Sequence, residues 1–359
     1  MEAVRFEDLG AERWDDFCAG SKDAWLLHTS FWLHYTLALY AGKKENKSFV
    51  VIENKQILAA CPLIIEHRES HGVPVKEFTY NGEACPLPAL QTGLSEKKRK
   101  KVLDFVFMAV DGLAESLSIS RAAFRYNILS ASYYKAPATR FNGLLRYGYL
   151  ETNLYTQSIS LETDSGDLFK EMRSGHRQSV NKALDSMSFA VYDEQNISLP
   201  VFTTYQKLHE KAAGKKTRSQ DTFNLMCRLI EQGNAKLCRA EIEGNTVGFA
   251  LVFVYKGGAL YASACNDPDH RRLPIGHGIQ WNVIRDLQAC GVERYDVGLQ
   301  VWPQFHYIPS EKEGEISSFK RGFGGETLPV FSGEKFYDED YMRILYAGRL
   351  QRYIDKVHL

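Results

Sequence analysis

Two charged residues of this 359-residue chain stand where chemistry collects in proteins that mix helices and strands. Asp296 closes the stretch Tyr295-Asp296-Val297-Gly298 at the end of an apolar strand, where loops gather and sites form. Its carboxylate can accept a proton from an amine or hold the amine as an ammonium ion. It can equally cap a neighbouring loop through backbone N–H groups. Lys320 follows Phe319 and leads into Gly322-Phe323-Gly324-Gly325. An isolated lysine is usually a solvated surface group, but one between an aromatic ring and a run of glycines is a candidate for meeting negative charge.

A second constellation lies in the loop 266–278, which carries Arg271 and Arg272 and then Gly276 and Gly278 at the start of a helical pattern. A helix N-terminus offers unpaired N–H donors and the positive end of the dipole, so it is an anion site in waiting. Glycines let an anion approach the backbone, and arginines add charge-assisted bonds. The same glycines also serve simply to tighten a strand-to-helix turn. Arg177 suits bidentate recognition of a carboxylate or phosphate, although a solvated amphipathic helix explains it too. Tyr205 and His209 are four apart and share a helical face. The run Lys97-Lys98-Arg99-Lys100-Lys101 can touch RNA phosphates or form the wet face of a helix.

The elements that must position these groups follow a repeated order. In the first half, a helical pattern surrounds Trp14 and Phe17, and Ser30 is placed to cap a helix to residue 39. A hairpin follows, with strands 48–52 and 57–65 about the turn Glu53-Asn54-Lys55. Ser95 then opens a helix with Val102, Phe105, Val106, Ala109, Val110 and Leu113 at helical spacing, and a strand at 121–126 comes next. The second half reads as a strand at 156–161, a helix from Ser165 through Arg173 to residue 184 weakened by Gly175, and helices at 199–213 and 220–232. Strands at 235–242, 247–255 and 259–265, a helix at 275–289 and a strand at 294–298 complete it. The expected fold class is α/β (α+β), with each half a mixed, mainly antiparallel sheet flanked by helices. The expected boundaries are 1–152, 153–335 and a C-terminal helical segment at 336–359, with the two domains packed tightly.

Composition adds exclusions. Lysines and arginines number 44 against 44 aspartates and glutamates, so no global field draws the chain to nucleic acid or an anionic membrane. The longest apolar run, 59–65, falls far short of the roughly 20 residues of a membrane span. The first residues lack a signal-peptide pattern, and seven cysteines without CxxC spacing read as reduced thiols, so a cytoplasmic protein is expected. No zinc, EF-hand, P-loop or GxSxG signature occurs, so no metal is required.

The run 318–325, the strand end at 295–298, the segment 173–183 and His28-Thr29-Ser30-Phe31-Trp32-Leu33 together resemble the FemAB-like acyl- and aminoacyltransferases, which are built from two tandem GNAT-type domains. The resemblance covers most of the chain and is strongest from Arg173 to Gly325. It implies acyl transfer onto an amine, with acyl-CoA or aminoacyl-tRNA as co-substrate and no tightly bound cofactor. It implies that the 266–278 loop takes the donor pyrophosphate through Arg271, Arg272, Gly276 and Gly278. Leu273, however, stands where the family's loop has an arginine. Phe319 and Lys320 would lie beside the donor's acyl group, with Lys320 and Asp296 as the catalytic pair. Arg177, Tyr205 and His209 would bind substrate.

The stretch 199–232 is too short for the long helical arm of the family's peptidoglycan branch, which points to the polysaccharide-modification branch. The expected acceptor is an amino group on a sugar or cell-envelope precursor, with tRNA the less favoured partner. A catalytically silent binding module is the alternative from another class. An amine of pKa near 8 is about 10% neutral at pH 7, a deficit of roughly 1.4 kcal/mol, against roughly 4.6 kcal/mol for a lysine-like amine. A site holding only an aspartate and a lysine therefore suits a weakly basic amine.

Overall fold

The computed structural model describes residues 1–39, 42–134 and 141–357. The chain divides into two units, one of residues 1–154, 301–311 and 329–359, the other of residues 155–300 and 312–328.

The first unit holds two sheets. The smaller runs Glu2–Arg5, Phe49–Glu53, Gln56–Cys61, Ala89–Leu90, all antiparallel. The expected strand 57–65 is split between sheets: Gln56–Cys61 stays in the smaller, and Ile64–Ser70 joins the larger. Pro62 lacks an N–H and cannot continue a ladder, while the Leu63 amide turns to Ser48 Oγ at 2.9 Å. Ile64–Ser70 then forms a hairpin with Val73–Phe78, not expected from sequence, through His71 and Gly72, both at positive φ as a tight hairpin turn demands.

The Ser95 cap is as expected: its side chain accepts from the Lys98 amide, and the helix Glu96–Leu117 buries Val102, Val106, Phe107, Val110 and Ala114. In the basic run, Lys98 and Arg99 are half-buried and pair with Glu53 and Asp23, while Lys97, Lys100 and Lys101 form the exposed helix face. At the earlier helix, Ser30–Ala38, the capping side chain is Thr29 rather than Ser30.

The chain's end departs from the expected boundaries. Ser332–Phe336 lies inside the first unit's larger sheet, between Arg121–Arg125 and Leu150–Glu151, and the helix Glu339–Val357 belongs to the same unit. A buried ion chain fixes this. Arg121 donates to Glu77 at 2.7 Å and to Glu334 at 2.8 Å, and Arg349 grips Glu334 with both terminal nitrogens. Alternating acids and bases far apart in sequence satisfy one another only when the C-terminal strand and helix are home.

In the second unit one sheet runs Ser188–Tyr192, Ala235–Ile242, Asn245–Tyr255, Gly258–Asn266, Arg294–Gln300, Leu154–Ser160, Glu326–Val330. Alternation along the strands gives it two apolar faces. Cys238, Ala240, Ala250 and Val252 share a core with Ile275, Ile279 and Ile284 of the helix Ile275–Ala289 and with Val180 and Ala183 of the helix Ser174–Ser186. On the other face, Phe249 packs on Tyr205 of the helix Leu199–Ala213, beside Phe223 of the helix Gln220–Glu231. The expected helix 165–184 is two, Ser165–Glu171 and Ser174–Ser186; it breaks at Met172 and Arg173, not at Gly175. Met172 is buried, and the Arg173 amide is drawn to the Gly322 carbonyl at 3.0 Å.

Burial raises the pKa of Glu334, but Arg349 and Arg121 more than offset this and hold it below the usual glutamate value. Its contribution to stability is therefore present above the unfolded value of about 4.3 and is lost as pH falls through the folded one. Arg349→Met is expected to cost about 3 kcal/mol in chemical denaturation at neutral pH and to flatten the acid limb of the stability curve.

Candidate active site

The strands Gly258–Asn266 and Arg294–Gln300 run parallel but pair only at Gly258, Ala259 and Leu260, opposite Arg294, Tyr295 and Asp296. Beyond that point each keeps its outer neighbour, through Asn266 on one side and Gln300 on the other. The sheet therefore parts past Leu260 and Asp296. A bulge between Leu251/Ser263 and Val252/Tyr261 inserts one residue and bends the first strand at the same place.

Asp296 and Lys320 meet at this parting. Asp296 is buried, and its Oδ1 accepts from Thr156 Oγ1 at 2.5 Å and from the Gly298 amide at 2.8 Å. The capping reading from sequence therefore has a counterpart, since a backbone N–H holds the carboxylate, and its charge also reaches Lys320. Lys320 stands in the last turn of the helix Glu311–Arg321, which was not expected from sequence. A Cβ on Gly298, at φ +107°, would lie 2.6 Å from Lys320 Nζ, so the glycine is the space that the ammonium group fills. Burial lowers the lysine's pKa, and Asp296 opposes that shift. The helix is held by Gln300 Oε1, which accepts from Ser317 Oγ at 2.8 Å and Arg321 Nη1 at 2.7 Å.

An open groove of about 520 Å³ lies over the N-terminus of the helix Ile275–Ala289 and is lined by Lys182, Arg271, Arg272, Gly276, His277 and Phe319 among others. Among the described residues the Ile275 and Gly276 amides have no acceptor, whereas those of His277 and Gly278 are bonded to the Pro274 carbonyl. Arg271, Arg272, Gly276 and Phe319 thus come together. Gly278 does not join them. It is buried, and a Cβ there would lie 2.3 Å from Phe189 Cζ and 2.8 Å from Ala183 Cβ, so it exists for helix packing.

The other expected binding residues lie elsewhere. Arg177 donates from Nη1 to the Lys170 carbonyl at 2.9 Å and to the Met172 carbonyl, closing the end of the preceding helix. Tyr205 is fully buried, donating to Ser263 Oγ at 3.1 Å, and His209 bonds Thr217 and Arg218. Both sit on the sheet face opposite the groove.

Sequence reasoning passed over His176 and His277. Their rings meet edge to face at 4.6 Å beside Phe319 and Phe323, and His176 Nε2 donates to the Phe319 carbonyl at 3.0 Å. Gly322 permits this, since a Cβ there would collide with the imidazole. A histidine between two glycines at a helix start was the available signal.

Residues 170–307 match the family model described as an acetyltransferase (GNAT) domain. The second unit carries a GNAT acyltransferase domain. The whole chain also matches the solved structure of FemX, with TM-score 0.66 and 12% identity over 96% of this chain and 100% of that one. The structure of L-PGS from Bacillus licheniformis gives TM-score 0.58 and 13% identity, covering 95% and 96%. The C-terminal domain of a putative lysylphosphatidylglycerol synthetase from Agrobacterium fabrum gives 0.56 and 14%, covering 95% of each. No curated protein sequence matches significantly. The protein is an acyltransferase of tandem GNAT-like architecture, with mixed sheets flanked by helices. Among the described residues, no helix is long and apolar enough to cross a membrane.

Two measurements check this geometry. Gly278→Ala should overpack the helix against Phe189 and cost about 1–3 kcal/mol in thermal or chemical denaturation. His277, depressed by burial and then by His176, has a pKa of about 4. The unfolded chain takes up this proton near 6.5, so the group subtracts stability as pH falls from about 6.5 to about 4. Its imidazole resonances should accordingly titrate near pH 4.

Proposed function

We propose that the protein is a FemAB-like N-acyltransferase that moves an acyl group from acyl-CoA, or a similar phosphate-bearing thioester, to an amino group of a sugar or cell-envelope precursor. The observation that carries this reading is the parted sheet with Lys320 filling the space over Gly298, beside a groove of positive charge and open amides. Donor phosphates fit Arg271, Arg272 and the Ile275 and Gly276 amides; Gly278, packed in the helix, takes no part. The acyl carbon then reaches the parting near Lys320. The amine nitrogen attacks the carbonyl, Lys320 steadies the oxyanion, the C–N bond forms as the C–S bond breaks, and the amine's proton ends on the departing thiolate. Asp296 orients the incoming amine and relays that proton.

The polysaccharide-modification branch is supported by the helices Leu199–Ala213 and Gln220–Glu231, whose apolar faces are spent on the sheet and leave no projecting arm. One observation favours an aminoacyl-tRNA donor instead. Lys182, Arg271 and Arg272 form an open cationic strip with no acidic partner among the described residues, and a phosphate-rich strand suits it.

Calorimetry separates the two. Acyl-CoA should bind the wild-type protein, and Gly276→Val should weaken it by crowding Phe319, whose Cζ is 3.3 Å from a Cβ placed there. Absence of CoA binding with RNA binding that falls steeply in salt would establish the second reading. With a substrate pair in hand, Lys320→Met is expected to lower turnover about 100- to 1000-fold. Near-normal turnover would remove Lys320 from the mechanism. Asp296→Asn should act chiefly on the pH profile of turnover.

A further inference from the structure

On the sheet face opposite the groove, a guanidinium stands without an acid. Arg218 lies in the 214–219 connection, half-buried, with its Cζ 6.0 Å from the centre of the Phe223 ring. Nη1 donates to His209 Nε2 at 2.5 Å and Nη2 to Ser263 Oγ at 3.4 Å, while Nε is buried with no acceptor among the described residues. Glu210, whose charge reaches His209, accepts from Gln206 at 3.4 Å, and no carboxylate pairs with Arg218 among the described residues.

Counting hydrogens makes the cluster a surplus of donors. Arginine only donates, so His209 Nε2 must accept, and Nδ1 then carries the hydrogen and donates to Thr217 Oγ1 at 3.3 Å. The Thr217 hydroxyl hydrogen then has no acceptor among the described residues. Ser263 Oγ accepts from Tyr205 and from Arg218, so both its lone pairs are taken and its own hydrogen has no acceptor among the described residues. Tyr205 and His209 pack edge-on against Phe223 and fix the arrangement. Arg218, Thr217 and Ser263 all retain access to solvent.

Position supplies the rest. Ser263 is three residues past Leu260, the last residue paired across the sheet before it parts. It therefore borders the opening from the face opposite the donor groove.

We infer that Arg218, Ser263 and Thr217 form a subsite for an anionic group, carboxylate or phosphate, on the acyl acceptor. This rests on the acyl-transfer reading and narrows its acceptor to an amine that also carries an anion. Donor and acceptor approach the parting from opposite faces of the sheet. Held by its anion, the acceptor presents its nitrogen to the gap.

The test uses the full chain and inorganic phosphate, with acetate as the carboxylate probe, followed through the His209 imidazole resonances. Burial and the Arg218 charge hold the His209 pKa down to about 4. An anion on Arg218 neutralises that charge, so binding should shift the resonances saturably and move the titration midpoint upward. At about 10 mM ligand a site of roughly millimolar affinity is filled. Arg218→Gln should abolish the effect, Arg218→Lys should retain part of it, and Ser263→Ala should weaken binding roughly 10-fold. No saturable shift in the wild type, or equal binding by Arg218→Gln, overturns the subsite. Should Arg218→Gln fail to fold, the wild-type titration and Ser263→Ala still decide. Acyl-CoA binding without anion binding sinks this subsite alone, whereas anion binding without acyl-CoA binding sinks the thioester donor and leaves the subsite standing.

Discussion

The site depends on a parallel strand pair that is allowed only three residues of register. Two parallel strands would ordinarily continue their ladder, since unpaired N–H and C=O groups are costly when buried. Here the ladder ends because both strands have stronger claims on their other sides. The bulge at 261–263 lets one strand keep its pairing with Asn245–Tyr255, and the other keeps its pairing with Leu154–Ser160. Asp296 stands at the point of divergence, and its Oδ1 ties Thr156 to Gly298 across the second of these pairs. Remove the divergence and there is no space for Lys320, no opening for an acyl group and no edge for Ser263 to border.

Both units pair charge for architecture, and the second also leaves some of it open. In the first, Glu77, Arg121, Glu334 and Arg349 form a closed chain of bidentate and single contacts in which every buried charge has an opposite partner. Such a chain ties distant segments into one sheet. In the second, Lys182, Arg271, Arg272 and Arg218 have no carboxylate partner among the described residues, and the imidazoles of His209 and His277 are kept neutral by burial. Lys182, Arg271 and Arg272 are exposed and solvated, whereas the half-buried Arg218 guanidinium carries a cost for lacking an acid.

Local signals in the sequence carried far. The helix Ile275–Ala289 has the expected bounds because its apolar spacing, the preceding Pro274 and the glycines at its start all agree. The strands Ala235–Ile242 and Asn245–Tyr255 and the cap at Ser95 were likewise legible, as each rests on contacts between near neighbours. No helix was expected at Glu311–Arg321, since its polar outer face gives little apolar periodicity to detect.

By itself, then, the sequence determined the order of strands and helix from 235 to 298, the choice of Asp296 and Lys320 as candidates, and the groove residues Arg271, Arg272 and Gly276. Tertiary structure decided which similar residues differ in use. Gly276 opens a groove while Gly278, two residues on and on the other side of the helix, fills a packing contact with Phe189. Arg177 closes a helix end while Arg218 stands without an acid, though nothing local distinguishes the two arginines. The destination of Ser332–Phe336 was also a tertiary matter, because its partners Arg121–Arg125 lie about two hundred residues earlier. Spacing reports which neighbours share a face; it carries no information about which distant groups arrive to satisfy a charge or leave it open.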